Sequence, residues 1–196
     1  MLGSLAMHKP ITRRTVLLRR DTMSELARIA ASDLIADSVM QLVARFPAGS
    51  PVALYAPKGT EVDTARIDAF ARARGLRVFY PRIVDGERRL AFHETTIDAL
   101  VPGPFSLREP AATAPTIALA DIAVFAIPGL AFDRAGGRIG WGRGYYDITL
   151  AGAAPQALRI GLAFECQIVE SVPNDPHDIP LHYVVTEAAV YRAAHG

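Results

Sequence analysis

The stretch Ile122-Ala123-Val124-Phe125-Ala126-Ile127 is wholly apolar and is closed by Pro128-Gly129. A short apolar run that ends in turn residues is typical of a strand buried on both faces, as in a parallel sheet. We therefore predict that this stretch forms a central strand. Ligands of parallel sheets bind outside the carboxyl ends of the strands, so the segment after Ile127 is the first candidate for a binding site.

The rest of the chain alternates between helical and strand patterns. Apolar residues at helical spacing predict a long helix over 24–46. A second helix, capped by Asp63 or Thr64, ends at Gly75. Further strands are predicted at 52–55, 78–80, 90–93, 159–164 and 183–186, with a loop at 101–115 and a helix that begins at Tyr145. This alternation predicts an α/β fold with three layers, αβα, around a mostly parallel central sheet, in a single domain over residues 1–196.

Composition excludes several classes of protein. Of the 196 residues 51% are hydrophobic and 21% are charged, and the net charge is +1. Such a balance is typical of a soluble globular protein and gives no strong field toward nucleic acid or membrane. The first six residues lack the pattern of a signal peptide, so we expect a cytoplasmic protein, with a monomer as the expected state. The single cysteine, Cys166, excludes an intrachain disulfide, and we expect it to serve in packing.

The segment after the central strand is rich in glycine and arginine, and reads Phe132-Asp133-Arg134-Ala135-Gly136-Gly137-Arg138-Ile139-Gly140-Trp141-Gly142-Arg143-Gly144-Tyr145-Tyr146-Asp147. Glycine lets a backbone approach a ligand closely, and arginine offers a planar fork of donors that matches phosphate oxygens. A carboxylate beyond them, here Asp147, can hold the divalent cation that phosphates bring. The segment therefore predicts a polyphosphate site with an attached metal ligand.

Spacing excludes two common phosphate motifs. A Walker A loop needs a lysine after its last glycine, whereas the only lysines in the chain are Lys9 and Lys58. A dinucleotide-binding fingerprint follows a strand directly and has the spacing G-x-G-x-x-G, which Gly140, Gly142 and Gly144 do not match.

A resemblance to a known family rests on three segments: Pro128-Gly129-Leu130-Ala131-Phe132-Asp133, Gly137-Arg138-Ile139-Gly140 and Gly142-Arg143-Gly144-Tyr145-Tyr146-Asp147. They resemble the signature of 5-formyltetrahydrofolate cyclo-ligases, also called methenyltetrahydrofolate synthetases, and the resemblance covers most of the chain. It implies a fold like that of sugar-phosphate isomerases and CoA transferases. It also implies an enzyme that converts 5-formyltetrahydrofolate and ATP to 5,10-methenyltetrahydrofolate, ADP and phosphate, with Mg²⁺ as cofactor. The alternatives are a phosphosugar isomerase or acyl-CoA transferase of similar fold, and a nucleotide-binding relative that has lost catalysis.

The resemblance also implies roles for single residues. Arg138, Arg143 and Asp147 are the implied catalytic residues, with Asp147 and Asp175 (or Asp178) as metal ligands. The implied substrate-binding residues are Tyr55, Glu61, Phe132 and Tyr145, with Glu61 recognising the pterin. The implied ATP-binding residues are Lys9, Arg13 (or Arg14), Arg138, Ile139, Gly140, Trp141, Gly142, Arg143, Gly144, Tyr145 and Tyr146. Relatives carry Arg or Tyr at the position of Trp141, so whether its ring stacks on another ring or covers the loop stays open, and no role is assigned to His182. Pro10 argues against a helix that starts at Lys9.

Overall fold

The computed structural model describes residues 9–173, 175 and 178–194. Within them the helices are α1 (Lys9–Asp21), α2 (Glu25–Val43), α3 (Ala65–Ala73) and α4 (Tyr145–Leu150). The strands are β1 (Pro51–Ala53), β2 (Arg77–Ile83), β3 (Leu90–Glu94), β4 (Val101–Pro102), β5 (Arg108–Glu109), β6 (Thr116–Ile117), β7 (Val124–Ile127), β8 (Ala131–Phe132), β9 (Arg138–Ile139), β10 (Leu158–Leu162), β11 (Tyr183–Val185) and β12 (Val190–Arg192).

The main sheet has the strand order β12-β11-β10-β7-β1-β2-β3-β6. Neighbours from β11 to β2 pair in parallel, whereas β12, β3 and β6 pair antiparallel at the two edges. The predicted central strand is therefore confirmed, since β7 lies between β10 and β1 inside the parallel part. The mostly parallel α/β architecture is confirmed as well.

Strand β7 shows how the sheet separates two cores. Successive side chains of a strand point to opposite faces, and all four residues of β7 are buried. Val124 and Ala126 join a cluster with the buried faces of α2 and α3. Phe125 and Ile127 join a second cluster, which includes Leu150 of α4. Both faces are thus covered, with two helices on one side, and α4 together with irregular segments on the other.

Local signals in the sequence explain where two helices begin and end. The Ser24 hydroxyl accepts a hydrogen bond from the Ala27 N–H at 3.2 Å and caps α2. At α3, Thr64 occupies the N-cap position, but the Asp63 carboxylate accepts the bond from the Ala65 N–H at 2.8 Å. Both candidates for this cap therefore take part. Gly75 follows α3 with φ +74°, a conformation that glycine adopts without strain.

Two expectations about irregular segments are wrong. Helix α1 includes Lys9 and Pro10, and the first turn tolerates proline because its N–H groups have no partner within the helix. The segment 101–115 is not wholly a loop, since β4 and β5 form a small antiparallel pair there. Helix α1 packs beside the antiparallel pair β8–β9, because Val16 lies in one buried cluster with Ala131 and Ile139.

Local contacts account for two partly or fully buried side chains, Cys166 and His93. Cys166 is partly buried with its sulfur 3.7 Å from that of Met23, and burial raises the pKa of its thiol, which suits packing rather than nucleophilic attack. His93 is buried, and its Nδ1 lies 2.8 Å from the Ala114 carbonyl oxygen. Across the described residues no helix is both long and apolar enough to span a membrane.

Candidate active site

A cavity of about 600 Å³ opens at the carboxyl end of the parallel strands, where the chain leaves β1 and β7. Most of the residues that the sequence analysis assigned to the site line this cavity. They are Lys9, Arg13, Tyr55, Glu61, Arg138, Ile139, Gly140, Trp141, Gly142, Arg143, Gly144, Tyr145, Tyr146 and Asp147. The fold therefore brings together residues that are up to 138 positions apart in the chain, from Lys9 to Asp147.

Residues 136–144, which we call the glycine loop, are shaped by the buried carboxylate of Asp133. Its Oδ1 accepts hydrogen bonds from the N–H groups of Ala135 at 3.0 Å and Gly137 at 2.7 Å. Its Oδ2 accepts a third bond from the Val172 N–H at 2.8 Å. Asp133 thus fixes the turn between β8 and β9 and presents Arg138 to the cavity. Its part is structural, which the motif alone did not reveal.

Arg138 and Asp147 form an ion pair between β9 and the first turn of α4. Arg138 Nη2 lies 2.6 Å from Asp147 Oδ1, and the Arg138 side chain is only 5% exposed whereas that of Asp147 is 30% exposed. The Nε atom of Arg138 is buried without a hydrogen-bond partner among the described residues. The Tyr146 hydroxyl is in the same state, and burial raises the pKa of Tyr146. Buried donors normally have partners; Arg138 and Tyr146 line the cavity, whereas Arg20, whose Nη1 is a third donor in this state among the described residues, does not.

Helix α1 contributes two cations to the opposite wall. Arg13 Nε donates to the Gly140 carbonyl oxygen at 2.9 Å and so ties α1 to the glycine loop. Gly142 has φ +87°, and a Cβ there would lie 3.2 Å from the Arg13 guanidinium carbon. Glycine suits this position because of its positive φ, and a Cβ would displace the Arg13 guanidinium only slightly. Arg14 is exposed and does not line the cavity, so of the two arginines the structure brings Arg13 to the site.

Lys9 forms a bridge with two aspartates. Its Nζ lies 2.6 Å from Asp175 Oδ2 and 2.9 Å from Asp178 Oδ2. Burial by itself lowers the pKa of Lys9, but the hydrogen bonds to both carboxylates outweigh it and raise that pKa. Burial likewise favours a higher pKa for Asp178, yet the bonds from the Asp175 N–H and from Lys9 lower it. Asp178 lines the cavity, whereas Asp175 does not.

Glu61 lies on the connection between β1 and α3 and closes another side of the cavity. Its Oε2 accepts a hydrogen bond from the Lys58 N–H at 2.9 Å, and its Oε1 accepts one from the Trp141 indole N–H at 3.2 Å. Burial raises the pKa of Glu61, and the two hydrogen bonds partly offset that rise. Tyr55 is buried and donates its hydroxyl to the Val62 carbonyl oxygen at 3.0 Å.

A segment that the sequence analysis gave no role faces the glycine loop. The ring of Phe105 lies 3.9 Å from the Arg143 guanidinium carbon, and the Phe105 carbonyl oxygen accepts a hydrogen bond from Lys58 Nζ at 2.7 Å. Phe105 and Ser106 have φ of +57° and +58°, which is uncommon for residues other than glycine. No sequence signal marks such a turn. Lys58 could have been found, because it is one of only two lysines and lies three residues before Glu61.

Phe132, which was assigned to the substrate site, and His182, which has no assigned role, both lie outside the lining of the cavity. Phe132 is fully buried in the second core cluster and does not line the cavity, so the structure does not bring it together with the other assigned residues. Its position in the motif reflects packing, because a Cβ at Gly161 would lie only 2.8 Å from its ring. His182 contacts Arg159 through both ring nitrogens, at 3.0 and 3.1 Å, away from the cavity.

Charge in the cavity is mainly positive. Six cationic side chains line it, against four carboxylates. The cationic residues are Lys9, Arg13, Lys58, Arg108, Arg138 and Arg143. An apolar and aromatic part, formed by Tyr55, Phe105, Trp141, Tyr145 and Tyr146, adjoins them. One cavity therefore offers donors for a polyanion and flat surfaces for ring systems.

Comparison with known proteins identifies the family. The sequence model of the 5-formyltetrahydrofolate cyclo-ligase family matches residues 6–187. A 5-formyltetrahydrofolate cyclo-ligase of Mycoplasma genitalium is 30% identical over 176 residues, covering 88% of this chain and 94% of the relative. One of Mycolicibacterium smegmatis is 32% identical over 145 residues, covering 70% of this chain and 74% of the relative. The solved structure of Aquifex aeolicus 5,10-methenyltetrahydrofolate synthetase matches with a TM-score of 0.77 at 30% identity, covering 97% of this chain and 95% of that one. The chain belongs to the 5-formyltetrahydrofolate cyclo-ligase family of enzymes.

Proposed function

We propose that this enzyme catalyses the ATP- and Mg²⁺-dependent cyclisation of 5-formyltetrahydrofolate to 5,10-methenyltetrahydrofolate, with release of ADP and phosphate. One observation carries the proposal: the glycine loop and Glu61 line a single cavity, with unpartnered buried donors on the side of the loop. The family match argues against the two alternative enzymes, a phosphosugar isomerase and an acyl-CoA transferase. A single domain, a monomeric state and a cytoplasmic location stay predictions.

The chemistry requires an activated formyl oxygen. This oxygen is amide-like and a poor leaving group, so direct cyclisation is unfavourable. Transfer of the γ-phosphoryl group to it creates a good leaving group, N10 then attacks the formyl carbon, and phosphate departs. Phosphoryl transfer depends mainly on positioning and on neutralising charge, so it needs no nucleophilic side chain.

The chain supplies that positioning through three cations around the glycine loop. Arg138 keeps an unused buried donor, Arg143 carries its charge on a stacked and exposed guanidinium, and Arg13 is tied to the Gly140 carbonyl oxygen. Planar guanidinium groups suit phosphate oxygens because they offer paired donors. We assign Arg138 and Arg143 to the transferring phosphoryl group and Arg13 to the remaining phosphates.

The residues present fit a magnesium ion bound together with nucleotide phosphates. Mg²⁺ is commonly held by one or two carboxylates, with phosphate oxygens and water completing its shell. The Asp147 carboxylate lies beside Arg138 on the cavity, and its Oδ1 makes the ion pair. Asp178 is the second carboxylate candidate, since it lines the cavity where Asp175 does not. When bound, the ion would neutralise negative charge on the phosphates.

The folate side of the cavity is assigned to Glu61 and Tyr55. An ionised carboxylate can accept two hydrogen bonds from the ring N–H and amino group of a pterin. Glu61 accepts one hydrogen bond from the protein on each oxygen, and this leaves each oxygen a further acceptor position for a ligand. Tyr145 and Tyr146 line the same cavity, and the Arg138 guanidinium carbon lies 5.6 Å from the centre of the Tyr146 ring.

A turnover assay with 5-formyltetrahydrofolate and MgATP tests the proposal, with methenyltetrahydrofolate followed by its near-ultraviolet absorbance. We expect product only when both ATP and Mg²⁺ are present. Nucleotide binding without product would make the protein a binding relative that lacks catalysis. Absence of both product and nucleotide binding would overturn the assignment of the glycine loop as well.

A further inference from the structure

Trp141 is the only tryptophan of the chain and lies in the middle of the glycine loop. Its indole N–H donates to Glu61 Oε1 at 3.2 Å. Its ring has Lys58 Nζ at 5.6 Å and the Arg20 guanidinium carbon at 6.0 Å from its centroid. The side chain is nevertheless 48% exposed, so burial in a core does not explain where it lies. Hydrogen bonding and cation–π attraction hold it against Glu61 instead.

This contact joins the two halves of the cavity. The residue before Trp141, Gly140, is bound to Arg13 through its carbonyl oxygen at 2.9 Å. The residue after it, Gly142, lies against the Arg13 guanidinium, since a Cβ there would be 3.2 Å from the guanidinium carbon. Three consecutive residues therefore connect the assigned phosphate side to the assigned pterin carboxylate. Any ligand that fixes the loop against Arg13 therefore also fixes the Trp141 indole N–H, which donates to Glu61.

The hydrogen bond orients Glu61 without blocking it. A carboxylate has about four acceptor positions on its two oxygens. Trp141 uses one on Oε1 and the Lys58 N–H uses one on Oε2, so each oxygen keeps a position for a ligand donor. A carboxylate on a flexible side chain loses conformational entropy when it binds the edge of a ring. When the indole N–H already holds the carboxylate, part of this entropy cost of binding is removed.

We propose that Trp141 is a positioning residue that makes the binding of the two substrates cooperative. Nucleotide phosphates order the glycine loop, the ordered loop holds the indole N–H on Glu61, and the oriented carboxylate then binds the folate more tightly. This inference rests on the proposed function, since it assigns the nucleotide to the loop and the folate to Glu61. By thermodynamic linkage the folate must tighten nucleotide binding by the same factor.

Calorimetric titration of the whole protein measures this coupling directly. The dissociation constant of 5-formyltetrahydrofolate is compared without and with a saturating, non-hydrolysable ATP analogue and Mg²⁺, and the reciprocal titration is also made. We expect each ligand to lower the dissociation constant of the other by about fivefold or more. In Trp141→Phe, which keeps a ring but loses the N–H donor, we expect that factor to fall below about two.

Tyr191→Phe is the matched control. Its hydroxyl donates to Glu165 Oε1 at 2.7 Å, so it is another aromatic donor to a glutamate, and neither residue lines the cavity. We expect this variant to keep the coupling factor of the unmodified protein. Because Trp141 is half exposed, its replacement leaves the core intact. The titration of the unmodified protein tests the coupling even without a variant.

Three results would overturn the inference. Independent binding of the two ligands to the unmodified protein would show that the loop does not couple the two sites. The proposed function could still be supported by turnover. Coupling that persists in Trp141→Phe would place the connection elsewhere. Tighter folate binding in that variant would mean that the indole competes for Glu61 instead of orienting it. If the folate does not bind at all, with or without nucleotide, the proposed function fails together with the inference.

Discussion

Replacing Asp147 by Asn tests the assignment of this carboxylate most directly. The substitution keeps the shape of the side chain and the Oδ1 acceptor but removes the negative charge. Two consequences follow from two different contacts. One is the loss of the ion pair with Arg138, whose Nη2 lies 2.6 Å from Oδ1. The other is the loss of the carboxylate that we propose as a ligand of Mg²⁺.

The stability effect can be bounded from burial. Removing one partner of a fully buried ion pair costs about 3–5 kcal/mol, because the other charge is left without compensation. Here the Arg138 side chain is 5% exposed but that of Asp147 is 30% exposed, so water screens part of the interaction. Asn also keeps one hydrogen bond to the guanidinium. We therefore expect the free energy of unfolding to fall by about 1–2 kcal/mol, seen as a lower midpoint of urea unfolding.

The effect on turnover should be larger than any effect of unfolding. A domain with about 5–15 kcal/mol of stability stays almost entirely folded after such a loss. Loss of the charged ligand should lower kcat at saturating MgATP by about tenfold or more, because fewer negative groups remain to hold the metal beside the phosphates. The variant should also need more Mg²⁺ for half-maximal rate.

Asp68→Asn is the control for ion-pair loss away from the cavity. Asp68 is buried, pairs with Arg72, and accepts further bonds from the Tyr80 hydroxyl and the Ile97 N–H, both at 3.0 Å. We expect this variant to lose at least as much stability as Asp147→Asn while keeping kcat within about twofold. Unchanged turnover of Asp147→Asn at saturating MgATP would refute the metal assignment. A similar loss in both variants would mean that destabilisation, not metal binding, explains it.

Three further predictions concern single residues. Arg13→Ala should raise the KM for ATP by about tenfold in steady-state kinetics, because a charge-assisted contact is lost. Arg14→Ala, at an exposed residue, is the control and should leave that KM nearly unchanged. Equal effects of the two substitutions would contradict the assignment of Arg13 rather than Arg14 to ATP. Burial raises the pKa of Glu61, so the folded state binds its proton more readily than the unfolded state does, and its charge lowers stability above that raised pKa. Glu61→Gln should therefore raise the midpoint of denaturant unfolding at neutral pH. In the unmodified protein the affinity for folate should fall as the pH falls through that pKa, and in the variant this pH dependence should disappear. A variant that is less stable than the unmodified protein would contradict the expected gain in stability. Gly136→Ala should lower the free energy of unfolding by about 2–4 kcal/mol, because φ is +88° and a Cβ would lie 2.4 Å from a backbone carbonyl oxygen. Gly86→Ala, with φ +75° in open space, should lower it by only about 1 kcal/mol. Thermal unfolding measures both changes.

Long-range contacts explain what the sequence could not predict about the site. Phe132 belongs to the signature, but its neighbour in space is Gly161, so its role in packing is visible only in the folded chain. Phe105 enters the cavity through two consecutive residues with positive φ, and neither residue type favours that conformation. Lys9 bridges Asp175 and Asp178 from a helix 166 and 169 residues away, and of these two aspartates Asp178 lines the cavity.

The sequence by itself determined helices α2 and α3, the five parallel strands with the central one among them, and the segment that lines the cavity at its end. These features are local, because they depend on the period of apolar residues, on capping groups and on glycine at particular positions. The motif also determined the family. Only the tertiary structure decided that Trp141 meets Glu61, that Asp147 pairs with Arg138 and that Arg13 rather than Arg14 reaches the glycine loop. Such contacts depend on how distant elements pack on the sheet, and no local preference of the chain specifies them.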